Sequence, residues 1–284
     1  MLTTVDFTLT GPSHGRQFAA DATYQPTGQP QPVVVFVHGF KGFKDWGHFG
    51  LLGRFFAEKG FVFIKINLSH NGVVVGGSGD LEDLEAFGRN NFSLELDDLG
   101  QLLDALHTPG ATPLPPAALN LRRLYLVGHS RGGALVLLKA AEDPRVTAAA
   151  TWAAVADLHP RWPAPVLAQW QRDGVLQVPN ARTGQQLPMY YQIVENFYQN
   201  PARLDLPALL PAMRQPLLLI HGDHDETVPV AAVHQLHTGQ PTAEVLVVPG
   251  ANHVFGSTHP WTNSELPPQV QLIAERTATF FAAH

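Results

Sequence analysis

The feature that most constrains the fold is a strand-like run that passes through a glycine-flanked serine into a helix. Residues 124–127 (LYLV) precede GHSRG at 128–132, and small and apolar residues follow. A turn this short between strand and helix crowds the chain, and Gly128 and Gly132 leave room for it. The pattern predicts that Ser130 stands above a sheet edge as a nucleophile, near a helix N-terminus that favours a developing anion. Without its flanks, G-x-S-x-G is equally compatible with an ordinary turn.

Uninterrupted apolar runs alternate with amphipathic stretches along most of the chain. Such runs are typical of parallel strands buried on both faces, and they lie at 33–37, 61–66, 124–127, 146–152, 216–220 and 245–248. Apolar residues at three- and four-residue spacing predict helices at 49–59, 93–107, 131–141, 229–238 and 268–282. Alternation over 3–10 and 16–20 predicts an opening antiparallel hairpin. We therefore predict one α/β domain over 1–284, with a mostly parallel central sheet covered by helices on both faces.

A segment of about sixty residues, 153–213, interrupts this alternation. We predict that it is a small inserted cap subdomain over the site, with a hairpin around 178–186. Six of the ten Trp and Tyr residues fall within 151–200. They are therefore either substrate contacts or the cap's own small core. The candidates for substrate contact are Trp152, Trp162, Tyr190 and Tyr191.

A serine nucleophile needs a base, and the base needs an acid that fixes its tautomer. Of the fourteen histidines, His253 follows the predicted strand at 245–248, at the sheet edge where α/β proteins build their sites. Asp223 and Asp225 follow the strand at 216–220, and their spacing does not choose between them. A metal cluster around 221–225 is the weaker interpretation, because no second group at ligand spacing accompanies it; we predict no metal site.

Acyl transfer also needs N–H donors aimed at the oxyanion. The backbone N–H of Arg131, the residue after the serine, is one candidate. The other is the N–H of Phe40, in the HGFKG sequence that ends the strand at 33–37. An ordinary strand-ending turn is the alternative for that loop. Just past Phe40 lie four further residues that either border the site or belong to a solvated loop: Lys41, Lys44, Asp45 and Trp46.

In this order the motifs resemble those of α/β-hydrolase-fold serine hydrolases: HGF at 38–40, GHSRG at 128–132, G-x-x-D-x-x-V-P at 222–229 and Gly250…His253. Small cinnamoyl/feruloyl esterases and dienelactone-hydrolase-like esterases are the most similar group within the fold. The resemblance implies that Asp225 is the acid, that a short cap follows the sixth strand, and that no cofactor is used. Dienelactone hydrolases proper use a Cys nucleophile, and this chain contains no cysteine. Their lactone chemistry is therefore not carried over.

The amino-acid composition excludes several kinds of site and disfavours several kinds of partner. The absence of cysteine excludes disulfides, iron–sulfur clusters and Cys-ligated zinc. With 24 acidic against 18 basic residues, the net charge of −6 disfavours nucleic acid and anionic membranes as partners. The first residues lack the pattern of a secretory signal, so a cytoplasmic protein is expected.

The expected activity is hydrolysis of small-molecule carboxylic esters through an acyl-enzyme, with aryl (feruloyl/cinnamoyl-type) or short-chain acyl substrates. Serine peptidase and thioesterase activity are alternatives on the same fold. A non-catalytic ligand-binding protein is the alternative of a different class, because fold alone does not decide function.

Overall fold

The computed structural model describes all residues, 1–284, and its centre is an eight-stranded sheet. In chain order the strands of this sheet are β1 (Thr3–Thr10), β2 (Gln17–Tyr24), β3 (Gln31–Val37), β4 (Val62–Ile66), β5 (Leu119–His129), β6 (Ala148–Trp152), β9 (Leu217–Gly222) and β10 (Glu244–Val248). A separate two-stranded ribbon consists of β7 (Val175–Pro179) and β8 (Gln186–Tyr190). Each predicted strand is present, with bounds shifted by a few residues.

The strands lie in the order β1-β2-β4-β3-β5-β6-β9-β10. From β4 to β10 all neighbours pair in parallel, while β1 pairs antiparallel with β2, and β2 with β4. The predicted N-terminal hairpin therefore forms one edge of the sheet. This arrangement confirms the predicted α/β fold with a mostly parallel sheet.

Ten α-helices accompany the strands: α1 (Phe49–Glu58), α2 (Leu84–Arg89), α3 (Phe92–His107), α4 (Arg131–Glu142), α5 (Ala164–Asp173), α6 (Gln192–Gln199), α7 (Pro201–Leu204), α8 (Leu206–Leu209), α9 (Ala231–Gly239) and α10 (Pro268–Ala283). Successive residues of β3 face opposite cores. Val33, Val35 and Val37 pack in a cluster with α3, α4 and α9, whereas Val34 and Phe36 pack with α1 and α10. The sheet is therefore covered on both faces, which explains why its strands are apolar without alternation.

Helix α2 was not predicted from the sequence, because six residues are too few to show a periodic apolar pattern. Its one local signal is Asp83, whose side chain accepts a hydrogen bond from the Ala86 N–H as an N-cap.

The inserted segment, residues 153–213, contains α5 to α8 and the β7–β8 ribbon. Trp170 is its central buried side chain: the indole N–H donates to the Met189 carbonyl at 2.7 Å, and the ring packs against Trp162 and Tyr191. The Tyr190 hydroxyl donates to Glu85 of α2 at 2.5 Å and so fastens the ribbon to the main domain. Trp162, Trp170 and Tyr191 therefore pack on one another, and Trp170 is part of the same buried cluster as one face of the sheet.

The parallel pairing brings the carboxyl ends of β3, β5, β9 and β10 to one edge of the sheet. Val37 is paired with Gly128, and Val248 with Gly222. The loops that follow these strands are therefore close in space, although they are far apart in the sequence. Among the ten helices, none combines the length and the hydrophobicity that a membrane-spanning segment requires.

Candidate active site

Ser130 lies in a strained turn between β5 and α4. Its φ is +57° and its ψ −121°, in a region that residues with a side chain rarely occupy. A Cβ on Gly128 would overlap the Gly132 carbonyl, and a Cβ on Gly132 would lie 2.5 Å from the His38 carbonyl oxygen. Both glycines are therefore required by close backbone approach, and the turn holds the Ser130 side chain at the edge of the sheet.

Ser130, His253 and Asp225 form a continuous chain of hydrogen bonds. The distance from Ser130 Oγ to His253 Nε2 is 3.0 Å, and that from His253 Nδ1 to Asp225 Oδ2 is 2.8 Å. A carboxylate only accepts hydrogen bonds, so the His253 proton resides on Nδ1 and the Ser130 hydroxyl donates to Nε2. In this tautomer the imidazole can take the hydroxyl proton.

The surroundings of Asp225 favour its ionised form. Oδ1 accepts the backbone N–H groups of Thr227 and Val228, both at 2.8 Å, and His221 Nε2 lies 3.3 Å from Oδ2. Burial raises the pKa of Asp225, but the nearby His221 ring and the hydrogen bonds from His253 and the Val228 N–H outweigh it and hold the pKa well below its usual range. Asp225 is therefore an anion at neutral pH.

Asp223, the other acidic candidate, points elsewhere: its Oδ1 accepts the Gly250 N–H at 2.6 Å, at an exposed position. The structure thus brings Asp225, and not Asp223, to His253. No group of three or more His, Asp or Glu side chains is arranged to hold a metal ion.

The side chain of His129 contacts the loop that carries His253. Its Nε2 donates to the backbone carbonyl of His253 at 2.8 Å, and the two rings are 4.8 Å apart. Burial and the neighbouring His253 lower the pKa of His129 to about 3, so its ring is neutral and remains a single-proton donor. The sequence analysis gave His129 no role; its only signal was its place beside Ser130.

The loop after β3 lies directly against Ser130. A Cβ on Gly39 would be 2.9 Å from Ser130 Cβ, so only glycine permits this approach. The next residue, Phe40, has a backbone N–H that donates to no protein acceptor. Its ring lies 4.1 Å below the guanidinium of Arg131, which pairs in turn with buried Glu95 at 3.4 Å. The two residues predicted to donate to an oxyanion are therefore in mutual contact beside Ser130.

A cavity of about 520 Å³ opens above Ser130 and His253. We call it the Ser130 cavity. Its aromatic lining consists of Phe40, Trp46, Phe49 and His259, and the β7–β8 turn at 180–182 also lines it, next to the contact between Lys41 and the Pro179 carbonyl. Phe49 and His259 were not singled out from the sequence, because they reach the cavity from distant parts of the chain.

The four aromatic residues considered as substrate contacts do not line this cavity. Trp152 is 2% exposed and packs against α10, where its indole N–H donates to Thr277 at 3.0 Å. Trp162 packs on Trp170 within the inserted segment, as does Tyr191. Tyr190 faces α2. None of the four therefore lines the Ser130 cavity, and aromatic density alone did not reveal the direction of their side chains. That they contact a substrate stays a prediction.

Comparison with solved structures finds the same fold over nearly the whole chain. Est1E from Butyrivibrio proteoclasticus, solved with bound ferulic acid, is 17% identical, with a TM-score of 0.69 and 98% of each chain covered. The esterase domain of a Rhodothermus marinus protein is 21% identical, with a TM-score of 0.62 and coverage of 99% of this chain and 97% of that one. A dienelactone hydrolase from Anabaena variabilis is 16% identical, with a TM-score of 0.65 and coverage of 100% and 98%. At identities of 16–21%, these comparisons show a shared fold.

A comparison with curated protein sequences finds no match. Comparison with protein families matches residues 34–262 to the alpha/beta hydrolase family, an interval that contains Phe40, Ser130, Asp225 and His253. The chain therefore belongs to the alpha/beta hydrolase family, and its broad class is that of a hydrolase.

Proposed function

We propose that this protein is a serine esterase that cleaves carboxylic esters through an acyl-enzyme intermediate. One observation carries the proposal: the Ser130–His253–Asp225 hydrogen-bond chain lies at the floor of a cavity large enough for a small molecule. Cavities of about 300–1,000 Å³ are typical of small-molecule sites, and the Ser130 cavity falls in this range.

In the proposed mechanism Ser130 Oγ attacks the ester carbonyl carbon while its proton moves to His253 Nε2. The resulting oxyanion accepts hydrogen bonds from the N–H groups of Phe40 and Arg131. The C–O bond to the alcohol then breaks, and the alcohol leaves with the proton from Nε2. A water molecule attacks the acyl-enzyme, giving its proton to His253, and the acid is released as Ser130 regains its proton. Asp225 stabilises the imidazolium in both steps.

Aryl esters of the feruloyl or cinnamoyl type, and short acyl esters, are the proposed substrates. The aromatic side chains of Phe40, Trp46 and Phe49 offer an apolar wall to a planar ring. The ferulic acid bound to Est1E, which shares the fold, agrees with this choice. The β7–β8 turn would serve as the cap over the bound ester.

The decisive experiment compares wild type with Ser130→Ala on p-nitrophenyl acetate. Loss of the nucleophile in enzymes of this type costs on the order of 10⁶ in rate, so turnover should fall to background while the fold is retained. Ser264→Ala, at an exposed position, is the matched control and should behave as wild type. Wild-type-like turnover in Ser130→Ala would refute the assignment.

A substrate panel then separates the alternatives. It contains methyl ferulate, p-nitrophenyl esters from acetate to decanoate, a thioester and a peptide amide. Cleavage of the amide alone would indicate a peptidase, and cleavage of the thioester alone a thioesterase. A fluorophosphonate probe that fails to label Ser130, together with no turnover, would indicate a non-catalytic binding protein.

A further inference from the structure

The Ser130 cavity is cationic although the protein as a whole is acidic. The chain carries a net charge of −6, yet no Asp or Glu is among the 14 residues that line the cavity, whereas Lys41 and Arg182 are. Lys41 follows Phe40, and Arg182 lies on the β7–β8 turn. A wall of this kind attracts an anion rather than a cation.

Lys41 is the cation whose charge is uncompensated. Its ammonium donates to the Pro179 carbonyl at 3.0 Å and forms no ion pair. Burial without a carboxylate partner lowers the pKa of Lys41 below its usual value. Arg182, by contrast, is paired with Asp80, with Nη1 at 2.8 Å from Oδ2. A ligand that enters the cavity therefore meets one ammonium group with unused N–H donors.

Asn180 adds a second unused donor on the same wall. It is 5% exposed, it lines the cavity, and its Oδ1 accepts the Arg182 N–H. That bond fixes the orientation of the amide, and Nδ2 is left buried without an acceptor. Buried donors in folded proteins are normally satisfied, so this unpaired Nδ2 is a candidate donor to an acceptor on a ligand. Asn180 follows Pro179 in the chain, so this donor is close to the Lys41 contact.

We propose that the substrate is an ester that also carries a free carboxylate, and that Lys41 binds this carboxylate with Asn180 as a second donor. The inference rests on the proposed esterase function and narrows its substrate class to aryl or short acyl esters with an anionic group. The aromatic wall would hold the body of the substrate between Ser130 and the carboxylate. Ion pairing beside an apolar wall is stronger than in bulk water, because the local dielectric is lower.

Two matched pairs of esters test the charge preference on the intact protein. Monomethyl terephthalate and methyl 4-carbamoylbenzoate differ in charge on the acyl side; 4-acetoxybenzoate and 4-acetoxybenzamide differ on the alcohol side. Each kcat/KM is divided by the ester's own alkaline hydrolysis rate, which removes the electronic effect of the substituent. In at least one pair, we expect the carboxylate ester to be preferred by about 10-fold or more, the size of one good ionic contact.

Lys41→Met removes the charge and keeps a straight side chain that is one atom shorter, so it should reduce that ratio to about 1. Lys59→Met, an exposed lysine outside the cavity, makes the same change in net charge and should leave the ratio as in wild type. A wild-type ratio of about 1 or below in both pairs, with p-nitrophenyl acetate still cleaved, would overturn the carboxylate inference and leave the esterase function intact.

Calorimetric titration of Ser130→Ala tests binding independently of catalysis. We expect the preferred carboxylate ester to bind at least about 10-fold more tightly than its amide, and Lys41→Met in the same background to abolish the difference. Equal or undetectable binding of both esters would refute the inference. If wild type cleaves no ester, the esterase function fails, and this titration still decides whether the cavity selects carboxylates.

Discussion

Asp225→Asn is the most informative single substitution, because all the groups around this carboxylate are donors. Oδ1 accepts the N–H groups of Thr227 and Val228, and Oδ2 faces His253 Nδ1 and His221 Nε2. An asparagine side chain has one acceptor oxygen and one NH₂ group. In either orientation, the NH₂ group must therefore face donors that the carboxylate satisfies.

The two orientations have different costs. With NH₂ toward Thr227 and Val228, two hydrogen bonds to a charged acceptor are lost, which destabilises the fold by roughly 3–6 kcal/mol. With NH₂ toward His253, both backbone bonds remain, but Nδ1 must give up its proton and act as acceptor. The second orientation is therefore favoured, and it places the proton on Nε2, so His253 can no longer take the proton of Ser130.

The expected result is a fall in kcat of about 10⁴-fold, which is about 5.4 kcal/mol of transition-state stabilisation, with a much smaller change in Tm. The assay is p-nitrophenyl acetate turnover, paired with thermal unfolding. Asp223→Asn, on the same loop, retains an acceptor for the Gly250 N–H and should change kcat by no more than about 2-fold. An Asp225→Asn variant that keeps kcat within about 10-fold of wild type would refute the tautomer argument.

Three further predictions concern stability. Gly132→Ala would place a Cβ 2.5 Å from the His38 carbonyl oxygen, just after β3, and should lower the free energy of unfolding in urea by about 1–3 kcal/mol. Its control is Gly50→Ala, in an exposed and open helical position, which should be neutral or stabilising by up to about 1 kcal/mol. Burial lowers the pKa of His48 to about 4, below its unfolded value, so the stability from keeping it neutral is present above pH ~6.5 and is lost as the pH falls toward 4. His48→Asn should reduce this loss by on the order of 3 kcal/mol, while exposed His234→Gln should not. Trp152→Phe should lower Tm by removing a buried hydrogen bond and packing volume, with KM unchanged; a raised KM at unchanged Tm would contradict its placement against α10.

The sequence predicted the floor of the site well because local patterns place it. Each of Ser130, Asp225 and His253 follows an apolar strand, and the carboxyl ends of parallel strands meet at one edge. Local patterns did not choose between Asp223 and Asp225; the family resemblance indicated Asp225, and the structure brings Asp225 to His253. That these residues act in catalysis stays a prediction until the variants are measured.

The walls of the site could not be predicted in the same way. Trp46, Arg182 and His259 come from three distant segments, and only tertiary packing brings them to one cavity. Trp152 shows what aromatic density does not reveal. It was a candidate because of the density of Trp and Tyr at 151–200, and the structure places it at the end of β6, paired with His129 and Ile220. Side chains of one strand alternate between faces, and Trp152 faces α10.

The floor of the Ser130 cavity, formed by Ser130 and His253, and its wall at the β7–β8 turn are held in place by different contacts. Ser130 follows β5 directly, and His253 lies in the loop after β10, where the His129 side chain donates to its backbone carbonyl; these contacts set the 3.0 Å separation of Ser130 Oγ and His253 Nε2. The β7–β8 turn reaches the cavity from the inserted segment, and the Lys41–Pro179 and Arg182–Asp80 contacts tie it down. Substitutions in this turn should therefore change which esters are accepted more than how fast a bound ester reacts. Lys41 belongs to both parts, since it follows Phe40 in the rigid loop and contacts the turn.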